Sequence, residues 1–203
     1  TLSSSSAASD VYKRQRLCSI QDNRFAYRKN VLPTSMHPSQ AALIVSLAKP
    51  YLKEEAQIMD PFCGVGTLLI ERAHLVPARE IYATDTYGDA ITMGRENAAF
   101  AKTRINFIHR DFFDFRHDYK FDELITDMPV RNRQTKAEME LFYERFFDKA
   151  AEHLVSGGII VMYSNEIGFV KKQIRLRVEY RLLQETCILD KKDFYLFVIR
   201  YED

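Results

Sequence analysis

The 203-residue chain carries 29 Lys and Arg against 28 Asp and Glu, a formal net charge of +1, with 46% hydrophobic residues, 28% charged residues, 7 Gly and 6 Pro. This composition excludes a collagen-like repeat, a coiled coil and a disordered tail, and fits a soluble globular fold with a sizeable core. The three cysteines, Cys18, Cys63 and Cys187, are too scattered for a disulfide framework, no Cys-x-x-Cys pair suggests zinc, and no apolar run approaches the ~18 residues that span a bilayer.

Residues 1–16 are rich in Ser and Ala and lack the apolar segment of a signal peptide. They resemble translated sequencing-adapter text. They are read as a non-native or disordered leader, with a short natural linker as the alternative. The remainder, 17–203, is expected to form a single domain. An apolar set at Leu43, Ile44, Leu47, Ala48 and Tyr51 predicts a helix over 37–52. Ala56 to Met59 predicts a strand that runs into a glycine loop, followed by a helix over 67–75. Further strands are predicted at 81–84, 105–109 and 124–126, with a helix over 90–101 between the first two. Met139, Phe142, Phe146, Ala150 and Leu154 recur at helical spacing and predict a long helix over 136–154. Gly157 and Gly158 precede a predicted strand at 159–163. Phe169, Val170 and Ile174 anchor another helix, and strands at 182–189 and 194–201 close the chain.

Strands alternating with helices predict an α/β, doubly wound, mostly parallel sheet. The last two strands lack a helix between them and are expected to form an antiparallel pair at one edge. Ligands of such sheets bind beyond the carboxyl ends of the strands. Four strands end at or just before an Asp: Asp60, Asp85, Asp111 and Asp127.

The stretch Asp60-Pro61-Phe62-Cys63-Gly64-Val65-Gly66-Thr67 joins a strand to a helix. Its glycines permit a tight turn and a close backbone approach to a ligand. A dinucleotide fingerprint would place Gly or Ala where Leu69 stands, and no Lys-Ser/Thr pair follows, so neither NAD, FAD nor a phosphate loop is indicated. Asp60 suits a cationic group over the loop, Asp85 the hydroxyls of a ribose, and Asp111 an exocyclic adenine amine, with Phe112 packing on the ring. Taken singly, each Asp also suits a helix cap. As an ordered set they fit a ligand with a ribose, an adenine and an ammonium group but no phosphate, such as S-adenosylmethionine.

At these residues the chain resembles the class I methyltransferases. More narrowly, it resembles the RNA guanine-N2 methyltransferase group, UPF0020-like, whose catalytic domain often follows an RNA-binding THUMP domain. The matching text is Ser35-Met36-His37-Pro38, then the glycine loop, then Thr126-Asp127-Met128-Pro129. The resemblance implies a seven-stranded Rossmann-like sheet and S-adenosylmethionine held by Asp60, Phe62, Gly64, Gly66, Thr67, Asp85, Asp111 and Phe112. It further implies tRNA or rRNA as substrate and a possible upstream RNA-binding domain absent from this chain, while the scattered cysteines read as reduced thiols of a cytoplasmic protein.

Asp127-Met128-Pro129-Val130 lies where amino-group methyltransferases carry (Asp/Asn)-Pro-Pro-aromatic. An exocyclic amine on a base is a weak nucleophile because its lone pair is delocalised into the ring. Acceptors around its N–H groups, here the Asp127 carboxylate and the Met128 carbonyl, stabilise the positive charge that develops, and Pro129 fixes the turn that aims them. No metal is required. Val130 departs most from the pattern, because base stacking is worth ~1–3 kcal/mol; Phe25 or Tyr27 is a substitute ring. Cys63 reads as a small buried side chain rather than a nucleophile. His37, Val130, Arg131 and Arg133 are candidate substrate contacts, with a helix-start role as the alternative for His37. The cluster Lys171, Lys172, Arg175, Arg177 and Arg181 reads as either an RNA track or a solvated helix face. Three functions stay open: RNA guanine-N2 methylation, methylation of a small molecule or protein, and a non-catalytic binding module that retains the fold.

Overall fold

The computed structural model describes residues 23–189 and 193–203. The expected leader at 1–16 and Cys18 lie outside them. In chain order the elements are α1 (Pro38–Ala48), β1 (Ala56–Asp60), α2 (Thr67–Leu75), β2 (Ala78–Asp85), α3 (Gly88–Phe100), β3 (Asn106–His109), β4 (Phe121–Asp127), α4 (Lys136–His153), β5 (Leu154–Ser164), α5 (Ile167–Leu176), β6 (Tyr180–Leu189) and β7 (Phe194–Tyr201). Among the described residues the strands form one seven-stranded sheet in the order β3-β2-β1-β4-β5-β7-β6. The first five are parallel, and β7 runs antiparallel between β5 and the edge strand β6.

Alternation along the strands divides the core into two layers. Ile58, Ile125, Val161 and Val198 face α1, α2 and α3, whose Ile44, Leu69 and Ile91 cover them. Met59, Leu124, Ile160, Met162 and Phe197 face the opposite way, where Tyr143, Phe146 and Phe147 of α4 and Val170 of α5 cover them. Helices on both faces are what a parallel sheet requires, since neither face can meet water.

Most element limits differ from expectation by a few residues, each for a local reason. The first helix stops at Ala48 rather than running to residue 52, because Pro50 cannot extend it, and a 3₁₀ turn at Lys49–Tyr51 follows. Gly157 and Gly158 lie inside β5 instead of preceding it, at an irregularity in its pairing with β4. A buried ion pair ties α2 to the start of β4: Arg72 donates to both carboxylate oxygens of Glu123 at 2.8 and 2.9 Å, and to the carbonyls of Val76 and Lys53. No helix of the described residues is long and apolar enough to cross a membrane.

The strand order reverses between β1 and β4. The chain leaves β1 toward one side and β4 toward the other, opening a crevice beyond their carboxyl ends. Asp60, Asp85 and Asp127 are the terminal residues of β1, β2 and β4, three neighbouring strands.

Candidate active site

The crevice holds a cavity of about 580 Å³. Asp60, Phe62, Cys63, Gly64, Val65 and Thr67 form one wall, Asp85, Tyr87 and Ala90 a second, and Asp127 to Asn132 a third. The fourth wall is the segment Leu32 to Met36, which precedes α1.

The glycine loop is built by backbone rules. Gly64 and Gly66 adopt φ of +50° and +78°, in the left-handed region that favours glycine. They differ in what surrounds them. A Cβ on Gly66 would lie 2.8 Å from the Phe107 ring, whereas a Cβ on Gly64 would meet nothing within 4 Å. Gly66 is therefore a packing requirement, and Gly64 leaves a cradle open on the cavity. The Cys63 amide donates to Thr84 O at 3.0 Å and the Gly66 amide to Cys63 O at 2.8 Å, which closes the turn against β2. Gly66 caps α2, so the positive end of that helix opens onto the cavity and favours an anionic ligand group there. Thr67 Oγ1 is buried without a partner beside it.

Asp85 fastens this loop to β2. Its Oδ2 accepts from the Gly64 amide at 2.8 Å and its Oδ1 from the Tyr87 amide at 2.9 Å. Each oxygen keeps a further acceptor position for ligand hydroxyls. Asp60 is 1% exposed, and its Oδ1 accepts from the Phe62 amide at 3.0 Å. Burial pushes its carboxyl well above the ordinary range, and the neighbouring Asp127 and Asp85 add to that. Burial also raises Asp127 to about 7. Among the described residues none of the three carboxylates has an ion-pair partner. A cavity with three carboxylates, whose one lining cation, Arg131, is paired with Glu166, is electrostatically prepared for a cationic ligand.

The third wall begins with a backbone anchor. The Met128 amide donates to Tyr163 O at 2.9 Å, and the Met128 side chain is buried beneath the cavity. Val130 is 52% exposed on the rim. Arg131 lines the cavity and pairs with Glu166 at 3.5 Å.

Several expected residues lie elsewhere. Asp111 accepts from the Phe113 amide at 2.9 Å and caps a 3₁₀ turn, off the cavity lining. Phe112 is 1% exposed in the core, its ring among those of Phe62, Phe146 and His153. An apolar ring after a four-residue strand is drawn into the α4 layer, which leaves no face for an adenine. His37 caps α1 and accepts from the Ser39 amide, so it takes the helix-start role. Arg133 is exposed beyond the cavity lining. Tyr27 is buried and donates to Glu71, so it offers no stacking face. Burial, with Asp60 and Asp85 nearby, raises the Cys63 thiol well above its ordinary range, which disfavours a thiolate nucleophile. In the basic cluster, Lys171 pairs with Glu185, Lys172 with Glu140 and Arg177 with Asp148, as on a solvated face. Among the described residues no cluster of His, Cys, Asp or Glu could hold a metal ion.

Sequence reasoning missed Tyr87 and the Leu32–Met36 wall. Tyr87 is half exposed on the cavity, two residues past Asp85, and its hydroxyl donates to Asp89 at 2.9 Å. It lies beside the ribose-suited carboxylate, and its one sequence signal, an aromatic just beyond a strand-ending Asp, is shared by the buried Phe112.

Residues 26–186 match the UPF0020 family, described as an RMKL-like methyltransferase domain. The chain is similar to a tRNA (guanine(10)-N2)-dimethyltransferase of Methanothermobacter thermautotrophicus, 32% identical over 157 residues, which span 74% of this chain and 46% of that one. It is also similar to a release factor glutamine methyltransferase of Lactococcus lactis, 25% identical, across 67% of this chain and 56% of that one. The chain thus spans about half the length of the curated relatives it matches. Its fold resembles TrmN from Thermus thermophilus with a TM-score of 0.72 at 21% identity, covering 88% of this chain and 52% of that one. The open Gly64 cradle, the unpartnered Thr67 hydroxyl and the uncompensated carboxylates fit a nucleoside that bears a sulfonium and an ammonium group. With the matched region covering most of the chain, the protein belongs to the UPF0020 family of RMKL-like methyltransferase domains, and its cofactor is S-adenosylmethionine.

Proposed function

We propose that this domain methylates an exocyclic amine, and that the amine is guanine N2 in tRNA or rRNA. The observation that carries the reading is the position of Asp127-Met128-Pro129, at the end of β4 on the same cavity as Asp60, Gly64 and Asp85. S-adenosylmethionine supplies an electrophilic methyl group on sulfur. The Asp127 carboxylate and the Met128 carbonyl take hydrogen bonds from the two N–H groups of the amine. They hold its lone pair toward the cofactor wall and offset the charge that grows on nitrogen. Asp60, Asp85 and Tyr87 would hold the donor on the cavity wall they share, and much of the acceleration would come from placing it beside the amine. Pro129 fixes the turn, and Arg131 at the rim is placed to meet a phosphate.

A second reading has its own support. Val130 presents an aliphatic surface where a stacking ring is expected, and the chain is similar to a release factor glutamine methyltransferase. A side-chain amide nitrogen, which needs the same acceptors but no stacking, is the alternative acceptor. Purified protein incubated with labelled S-adenosylmethionine and total RNA, followed by nucleoside mapping, is expected to yield N2-methylguanosine. Label found instead in protein, with none in RNA, would refute the RNA reading. Cofactor binding without label in RNA, protein or metabolite pools would refute catalysis.

A further inference from the structure

The fourth wall of the cavity has no regular structure, yet it is held in place. Its residues Leu32, Thr34, Ser35 and Met36 belong to a strap that runs from residue 28 to the start of α1. The strap is folded on itself: Arg28 donates to Met36 O at 2.9 Å, the Leu32 amide to Ser35 Oγ at 2.9 Å, and the Ser35 amide to Leu32 O at 2.9 Å. These bonds set its shape, and Met36, buried among core residues of α1 and α2, anchors its far end.

Its other end is tied to the glycine loop by Asn97, on α3, two turns beyond the cavity-lining Ala90. Asn97 is fully buried and does not line the cavity. Its Oδ1 accepts from the Lys29 amide at 3.0 Å and from the Asn30 amide at 2.9 Å. Its Nδ2 donates to Asn30 O at 3.0 Å and to Val65 O, inside the glycine loop, at 3.3 Å. One side chain thus grips the strap with three bonds and the glycine loop with the fourth. An exposed tie, Asn30 Nδ2 to Glu96 Oε2 at 2.6 Å, reinforces it. A planar primary amide has an acceptor at one end and two donors at the other. Asp would set a carboxylate against two carbonyls, and Ala would remove the acceptor of two backbone amides.

We propose that Asn97 is a positioning residue for S-adenosylmethionine, fixing the gap between the Leu32–Met36 strap and the glycine loop so that the cavity is closed to cofactor width before the ligand arrives. The inference rests on this cavity being the cofactor site. Without the grip, the ligand itself must order the strap, and that ordering is subtracted from its affinity. The acceptor wall at Asp127 is on the other side of the cavity and keeps its geometry.

The test compares Asn97→Asp, Asn97→Ala and Glu96→Ala with the unaltered protein, using calorimetry with S-adenosylmethionine and amide hydrogen exchange over residues 29–36. Asn97→Asp and Asn97→Ala are expected to weaken cofactor binding about tenfold or more. Their strap amides exchange faster when free and regain protection when the cofactor binds. Glu96→Ala, which cuts only the exposed tie, gives a smaller loss in the same direction and keeps the proposal testable if the buried variants fail to fold. Tyr180→Phe removes a bond to Phe147 O on the opposite face and serves as a control for general destabilisation. Unchanged affinity in a folded Asn97 variant and in Glu96→Ala would overturn the proposal, as would an equal loss in Tyr180→Phe. Failure of the unaltered protein to bind the cofactor at all would instead strike the assignment of the cavity.

Discussion

Lowering the pH from 8 to 6 should weaken S-adenosylmethionine binding about tenfold, because the cavity must be ionised to hold a cation. Asp127 is raised by burial to about 7 and Asp60 is raised in the same direction, with no cationic side chain to compensate either. If the donor binds the ionised Asp127 form, the apparent dissociation constant scales as 1 + 10^(7−pH), about elevenfold at pH 6, twofold at pH 7 and near unity at pH 8. Binding at pH 6 then expels close to one proton, which calorimetry in two buffers of different ionisation enthalpy reads directly. S-adenosylhomocysteine, whose sulfur is neutral, should show a weaker dependence. Stability moves the other way. A carboxyl raised from 3.8 to about 7 on folding binds its proton more tightly in the native state, so native stability falls as pH rises through that interval. The full effect is of the order of 4 kcal/mol. Asp127→Asn should therefore be more stable than the parent at pH 8, with a cofactor affinity that changes less between pH 6 and 8, any remaining dependence coming from Asp60. Flat affinity in the parent, with heats independent of buffer, would refute the reasoning.

The two loop glycines should separate by readout. Gly66→Ala, strained by its φ and by the Phe107 ring at 2.8 Å, is expected to lower the melting temperature, whereas Gly64→Ala, with open space around its Cβ, should weaken cofactor binding with a smaller thermal effect. Arg72→Met leaves Glu123 buried and unpaired and should cost about 3–5 kcal/mol in denaturant unfolding; replacing both partners with apolar residues should cost less. His153 is packed against Phe112, Phe115 and Phe121, and burial lowers it to about 4. An imidazole kept neutral in the native state loses stability as pH falls from its ordinary value near 6.5 toward 4. Unfolding curves of His153→Phe should show a shallower acid limb across that range.

The three cavity carboxylates were legible because the alternation of Ile58 with Met59 and of Leu124 with Ile125 locks each strand between two layers. A residue that ends such a strand has little freedom in where it emerges. The same rule failed one strand further out. β3 has only four residues, and the turn after it carries Phe112 into the α4 layer and leaves Asp111 as a cap. Nothing local distinguishes a ring that will face a ligand from one that will join a core, since both are apolar and both follow an Asp. The Leu32–Met36 strap was illegible for a different reason. It has no periodicity, and what holds it is Asn97, which in sequence is one more polar residue on a helix.

On the proposed function, the cofactor half of the site and the acceptor half are specified to different degrees. The donor side has a glycine turn, two carboxylates, a helix terminus and a ring, all placed by the sheet. The acceptor side has one carboxylate, one carbonyl and a half-exposed Val130, and the cation that lines it, Arg131, pairs with Glu166. An aliphatic rim forgoes the ~1–3 kcal/mol that stacking a base would add. Such a wall orients an amine that reaches it but contributes little to choosing which molecule brings that amine. Selection of the substrate then depends on contacts away from the reacting nitrogen, as expected when binding energy from remote parts of a substrate is used to position its reacting centre.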